Sequence, residues 1–561
     1  MSSARVRPFE EGRTSEARPA AAALAAFCAD LTLKRMTSAA RERTAELLLD
    51  HLGVAYRGSA AESSRAVIRF VMAQPPGSAT VLGARPDPTV TDVKGGVSHS
   101  GTEELRTNLV RNSTDLVQTP SSPADRGNAL APFRVPAAWA ALANGTSAHA
   151  IEMDDVTTES SLHPGAAVIP AALAVAEEIA AHEPGDMATD RPDHAPPQRN
   201  AVQDGRDSTL GARVIEAVAA GYEVTMRVGN ALGAASSYQR GFHPTGVAGV
   251  FGAAVAAGKL MRLDAAGLER AIGIAGTMAS GSLAYLDDGS WTKRLNPGWA
   301  AHGGVVAAGL ASVGFTGPAT ALDGPHGVLR GYTDAPDPDR LAEGLGEAEL
   351  QVMRVSIKPY GCCRYSHGLI DAVLALRAAH GIAPEDVEEM RLGVLSGGWP
   401  LIAEDIERKR DPQNVVDAQF SAPYAAAVAL VSGRAGLAQF SEDLIRDERI
   451  RGLMARTSCH RDPSLDAAYP KSWPAAIEIR LRDGRLLRTR VEHALGEPEN
   501  PVKREALIER FVEMVVAVPE SSGFAQFPQL RGIPEPQARA VAERILHLDQ
   551  EPDLAVLAVL A

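Results

Sequence analysis

The chain has 561 residues, a net charge of −13, 45% apolar and 22% charged residues, only 5% aromatics, and four cysteines. That length suffices for more than one domain and a large core, and the acidic balance argues against nucleic acid as a general partner. Cys28, Cys362, Cys363 and Cys459 show no CxxC or Cys/His spacing, which argues against a structural zinc or iron–sulfur centre.

Residues 1–20 are charged and lack an apolar stretch, and no run of about 18 apolar residues appears. The expectation is a reduced, cytoplasmic protein without a leader or membrane span. Residues 20–52 carry helical periodicity, with Gly53 as the expected C-cap. A polar stretch rich in Pro, Gly and Ser, 85–132, reads as a loose insertion. Helical pattern resumes in PAAWAALANGTSAHAIEM and again in HPGAAVIPAALAVAEEIAA, residues 163–181, which Pro164 opens. A second loose segment covers 183–210. Residues 212–350 are rich in helix formers and small residues, placing Gly and Ala where helices can touch backbone to backbone.

The pattern changes after about residue 352. VEEMRLGVLS (387–396) reads as a strand, and IEIRLRDGRLLRTRV (477–491) as a hairpin with a type I′ turn at Asp483-Gly484. Helical stretches at 366–381 and 422–433 lie between them. The organisation predicted is mainly α: a large helical domain over 1–352, a smaller α/β lid over 353–498, and helices over 499–561 returning to the first domain.

Polar clusters interrupt these helices. Glu152, Asp154 and Asp155 crowd together before His163. GFHPTG brings His243, WTKRLNPG brings Lys293 and Arg294, SIKPYGCCRYSH brings Lys358, and FSAPY ends in Tyr424. Each alone has a bland reading. A histidine beside a proline is commonly a structural hydrogen-bonder, carboxylates at a helix start commonly offset its dipole, and a tyrosine on an alanine-rich helix is commonly core. Adjacent Cys362 and Cys363 invite a nucleophile reading, but nothing in the sequence argues for a low thiol pKa. Together, two histidines, two lysines, a tyrosine and a carboxylate cluster are what acid/base chemistry on a small polycarboxylate needs. Lysines bind the substrate carboxylates and lower the cost of enolate-like charge, one group removes an α-proton, and another protonates the leaving group.

An ordered series of motifs then resembles the MmgE/PrpD family: NGTSAHAIEMDD, HPGAAVIPAALAVAE, GFHPTGVAGVFGAAVAAGKLM, WTKRLNPGWAAHGGVVAAGLASVGFTGP, SIKPYGCCRYSHGLIDAV, FSAPYAAAVAL and LGEPENP. That family includes 2-methylcitrate dehydratase, cis-aconitate decarboxylase and iminodisuccinate epimerase. The resemblance implies a helical domain with an α/β lid, a site between them, a homodimer, no metal and no organic cofactor. It implies a catalytic set of His163, His243, Lys293, Lys358, Tyr424, Asp154 and Glu152. Substrate contacts are expected from Lys293, Lys358, Arg294, Thr157 and Asp155. Relatives commonly read D-x-D-D-T where this chain has E-M-D-D-V, so Glu152 and Val156 are departures, and Thr157 replaces the threonine only if the backbone shifts by one residue. The HPATHP pattern of the decarboxylases is absent; this chain has TTESSLHP. The first expectation is a cofactor-independent lyase that dehydrates a 2-methylcitrate-like hydroxy-acid. The alternatives are an epimerase of a small dicarboxylate, a cis-aconitate-type decarboxylase, and a non-catalytic anion binder.

Overall fold

The computed structural model describes residues 19–84, 132–182, 208–516, 530 and 532–561. Nearly all of the two expected loose insertions lies outside the described residues.

The helical part is built from α1 (Ala20–Asp30), α2 (Ser38–Gly58), α3 (Glu62–Met72), α4 (Ala137–Ala148), α5 (Gly165–Ala181), α6 (Leu210–Leu232), α7 (Pro244–Leu260), α8 (Ala265–Ala275) and α9 (Thr292–Ser312). Local chemistry sets their starts. The Thr37 and Thr209 hydroxyls accept the Ala40 and Ala212 amides as N-caps of α2 and α6. Pro244 opens α7 at a position where no amide is needed. The backbone-to-backbone contacts expected within 212–350 are present where α7 meets α9: a Cβ on Gly304 would stand 2.6 Å from the Ala254 amide nitrogen. The same close approach occurs where α4 crosses α5 and α9. A Cβ on Gly145 would stand 2.7 Å from the Ala166 carbonyl oxygen and 2.8 Å from Gly298 Cα.

Gly53 does not cap a helix. It lies inside α2, where the missing side chain admits Phe511 of α13 (Arg504–Val515); a Cβ there would meet the Phe511 ring at 3.1 Å. With α14 (Glu535–Leu546), α13 shares one continuous apolar core with α1–α9.

A second core lies between α10 (His367–His380), α11 (Ala422–Ser432), α12 (Glu448–Met454) and a four-stranded sheet. Two small antiparallel pairs precede that sheet in numbering: β1 (Ala79–Thr80) with β2 (Arg134–Val135), and β3 (Val156–Thr157) with β4 (Val355–Ser356). The sheet itself holds β5 (Val387–Val394), β6 (Thr457–Arg461), β7 (Ala475–Leu481) and β8 (Leu486–Val491) in the order β6-β5-β7-β8. Only β5 and β6 run parallel. The expected hairpin is β7–β8, but its turn differs from type I′. Register runs from Ala475↔Val491 to Arg480↔Leu486, and Leu481 N–H bonds the Arg485 carbonyl, leaving three residues in the loop. Only Gly484 has positive φ, +90°. A type I′ turn needs positive φ at both central residues; a three-residue loop needs it only at the last.

Candidate active site

Two backbone devices assemble the site. First, α4 ends at Ala148, and a turn over residues 149–155 leads into β3. Because β3 pairs with β4, Val156 opposite Ser356, the acidic turn is carried to the segment that presents Lys358. Second, α9 contains Pro297, which cannot donate to the Lys293 carbonyl. Lys293 and Asn296 lie on the first turn of α9, where the Lys293 carbonyl lacks the usual helical amide donor.

Glu152, Asp154, Lys293 and Lys358 meet there. Glu152 Oε1 accepts a short ion-pair contact from Lys293, and Glu152 Oε2 lies 3.9 Å from Lys358 Nζ. Lys358 is also 3.6 Å from Asp154 Oδ1 and is 1% exposed. Burial alone would raise the Glu152 carboxyl, but Lys293 and then Lys358 outweigh it and hold it at about 2. Burial likewise opposes ionisation of Asp154, yet His163, His149 and Lys358 hold it well below the usual carboxylate range. Glu152 and Asp154 therefore face two ammonium groups rather than water.

The histidines are set in opposite tautomers. His163 Nδ1 lies 2.7 Å from the Asp155 carbonyl oxygen and 3.2 Å from Asp154 Oδ2. A carbonyl only accepts, so Nδ1 carries the proton and Nε2 the lone pair. His243 Nδ1 lies 3.2 Å from the Asn296 amide nitrogen, which only donates. His243 therefore accepts at Nδ1 and carries its proton on Nε2. Burial favours the neutral form of both. It lowers His163 against the pull of Asp154, and it lowers His243 strongly, with His149 acting in the same direction. The rings of His163 and His243 both pack against His149, at 4.8 and 5.6 Å between centroids.

His149 and Asn296 were not singled out in the sequence. His149 is fully buried, and its Nδ1 lies 2.6 Å from Asp154 Oδ2. It stands five residues before Asp154 at the end of α4, and that spacing is its only signal. Asn296 lies three residues after Lys293, on the same turn of α9.

Four expected site residues are bound elsewhere. Tyr424 lies in the lid core, packs on Phe440, and donates its hydroxyl to the Gln439 carbonyl at 2.8 Å. Asp155 accepts from Tyr222 at 2.6 Å and from the Gly165 amide at 3.0 Å, so its carboxyl group braces the start of α5. Thr157 pairs its hydroxyl with Ser160 at 2.5 Å. Arg294 donates to Ser63 at 3.1 Å.

The lid reaches the acidic turn through Gln419, and Lys293 of α9 through Phe420. Gln419 Nε2 donates to the Ile151 carbonyl at 3.3 Å and to the Gly361 carbonyl at 2.9 Å. Lys293 Nζ sits 5.1 Å from the centre of the Phe420 ring. Cys362 and Cys363 are buried, and burial raises both thiols, the reverse of an activated nucleophile.

His149, Asp154 and His163 place three ligand-type atoms within 4.8 Å of one another. Hydrogen bonding to the two imidazoles and the neighbouring Lys358 ammonium account for that spacing. Among the described residues, no helix is long and apolar enough to cross a membrane.

A helical body, a smaller α/β unit and a buried Lys/His/carboxylate cluster between chain segments far apart in sequence define the class. The MmgE/PrpD N-terminal domain matches residues 100–341, and the MmgE/PrpD C-terminal domain matches residues 360–523. The chain belongs to the MmgE/PrpD family. It is 27% identical to the cis-aconitate decarboxylase-like protein oryM of Aspergillus oryzae, over 68% of this chain and 76% of that protein. It is 26% identical to a cis-aconitate decarboxylase of Aspergillus terreus, over 74% and 80%. It is 25% identical to the cis-aconitate decarboxylase of Mus musculus, over 68% and 72%.

Proposed function

We propose that this protein is a lyase acting on a small di- or tricarboxylate, without a metal or organic cofactor. The observation that carries this is the pairing of His163 and His243 in opposite tautomers beside two lysines. Lys293 and Lys358 hold substrate carboxylates and stabilise the charge that spreads onto one of them as the adjacent C–H bond breaks. His163 Nε2 takes the α-proton. The electron pair left behind forms the C=C bond, the C–O bond on the neighbouring carbon breaks, and His243 Nε2–H protonates the departing hydroxyl as water. Asp154 stabilises the imidazolium formed at His163. This sequence dehydrates a 2-methylcitrate-like hydroxy-acid.

A second reading is carried by the relatives, which are named as cis-aconitate decarboxylases. In it a C–C bond breaks to release CO2, the double bond shifts, and a histidine proton is delivered to carbon. The lysines serve both readings.

The deciding experiment is proton NMR in D₂O with 2-methylcitrate, citrate, cis-aconitate and an iminodisuccinate analogue. A vinyl resonance arising from a hydroxy-acid establishes dehydration. A terminal methylene pair arising from cis-aconitate, with CO2 release, establishes decarboxylation. Deuterium wash-in without a new product means epimerisation. Broadened ligand signals without turnover would replace the lyase reading with a binder.

A further inference from the structure

The turn that carries Glu152 and Asp154 is strained. Glu152 has φ +57°, a left-handed conformation that a residue with a Cβ adopts at a cost. Such a conformation persists only where its surroundings over-determine it. Three neighbouring carbonyls of this turn are each gripped from a different direction. Gln419 of the lid donates to Ile151, the His163 ring donates to Asp155, and Arg510 of α13 donates to Met153.

Of the two carbonyl contacts that come from outside the histidine cluster, the Arg510 contact is the shorter. Its Nη2 lies 2.8 Å from the Met153 carbonyl oxygen, and that residue sits between Glu152 and Asp154. Its Nε lies 2.7 Å from Asp50 Oδ1 on α2. Asp50 is 3% exposed and Arg510 9% exposed, so the guanidinium is fixed at both ends away from water. Phe511, the next residue, packs against Gly53 of α2 and so fixes the register between the two helices.

We propose that Arg510 is a positioning residue for the site: held by Asp50, it clamps the Met153 carbonyl and keeps the strained turn in the conformation that aims Glu152 at Lys293 and Asp154 at the histidines. The proposal rests on the lyase reading. In this role α13 sets catalytic geometry as well as closing the helical core. Arg510 touches no reacting group. Its loss displaces the carboxylates by a fraction of an ångström or more, and misplacement of order 1 Å costs on the order of a hundredfold in rate.

The test uses the full chain with Arg510→Lys, Arg510→Met and the double variant Asp50→Asn/Arg510→Met. Melting temperature, kcat and KM are measured on whichever panel substrate the wild type turns over. Arg510→Met alone strands Asp50 in the core and lowers the melting temperature. The double variant removes that stranded charge and recovers most of it. The clamp predicts that kcat stays at least about tenfold down in the double variant, with KM changed far less, and that Arg510→Lys recovers part of the rate. Full return of kcat together with the melting temperature would reduce Arg510 to a stability role and overturn the proposal. If the wild type turns over no panel member, the lyase reading is what fails, and the clamp is read from binding of tricarballylate. The double variant then binds it about tenfold more weakly; equal affinity for the folded double variant overturns the clamp.

Discussion

At the residue scale, the site separates groups that carry charge from groups that hold them. Lys358 is enclosed by two carboxylates, so in the proposed chemistry Lys358→Met removes the cation that offsets the developing negative charge. We expect kcat/KM to fall by about a hundredfold to a thousandfold, with the far-UV circular dichroism of the wild type retained; activity within tenfold of wild type would remove Lys358 from the chemistry. His163 must be neutral to act as base. Burial lowers its pKa from the ordinary 6.5, so kcat/KM rises with pH through a midpoint below 6.5 and is flat above it, as a pH–rate profile will show. Asp155 behaves oppositely to its neighbours. Burial raises its carboxyl from 3.8 to about 7. Between those values the unfolded chain has lost a proton that the folded protein keeps, so this group's contribution to stability declines as pH rises from about 4 to 7. The difference is on the order of 4 kcal/mol. In Asp155→Asn that decline is absent, which urea unfolding at pH 4, 5.5 and 7 measures as a difference from wild type. Residue chemistry of this kind was half legible in the sequence. The lysines, His163, His243 and the acids announce themselves by type and motif. Tyr424 has the same type but faces the lid core, and His149 looked like part of an alanine-rich helix end, because neither side-chain direction nor burial is written in a single sequence.

At the element scale, helix and strand identity followed from periodicity, while contacts between elements did not. The 3.6-residue pattern found α4–α7, α9 and the lid helices α10 and α11, but not α12. The alternation around Asp483-Gly484 found β7 and β8, although a local dipeptide signal could not distinguish a two-residue from a three-residue loop. Gly53 shows why. Read locally, glycine after a helical run is a stop signal; in the fold it is the place where a helix some 460 residues later in the chain comes close. Gly145 makes the same point with a testable consequence. It lies where α4 meets the backbones of α5 and α9, and α9 carries Lys293. Gly145→Ala has no flexible side chain to displace, so the helices must part. The expected cost is about 1–3 kcal/mol or more, measured by denaturant titration, with a rise in KM as Lys293 moves away from Glu152. Gly452, on lid helix α12 with open space around it, is the control: alanine there leaves both quantities near wild type.

At the scale of the whole molecule, the chain builds two apolar cores, and polar contacts from the lid side reach the other part at the site. One core takes in α1–α9, α13 and α14, and the other the lid helices and sheet. Gln419 and Phe420 on the lid side touch the Ile151 carbonyl and Lys293 on the other. A polycarboxylate that engages Lys293 and Lys358 adds charge-assisted contacts at this seam. An unreactive tricarboxylate such as tricarballylate, at about 100 times its Kd, stabilises the folded state by about 2.7 kcal/mol. Where that stabilisation appears tells which segments the ligand joins. Binding at the seam slows amide hydrogen exchange together in 150–157, which holds the acidic turn and β3, and in 356–364, which holds Lys358 and the segment entering the lid. Local opening of either segment then requires release of the ligand. Lys358→Met abolishes protection of both, because each is tied to the ligand through the same ammonium group. Protection confined to the open face of the lid sheet, around Arg391, Arg488 and Arg490, would place the anion outside this cluster and overturn its assignment as the site of chemistry.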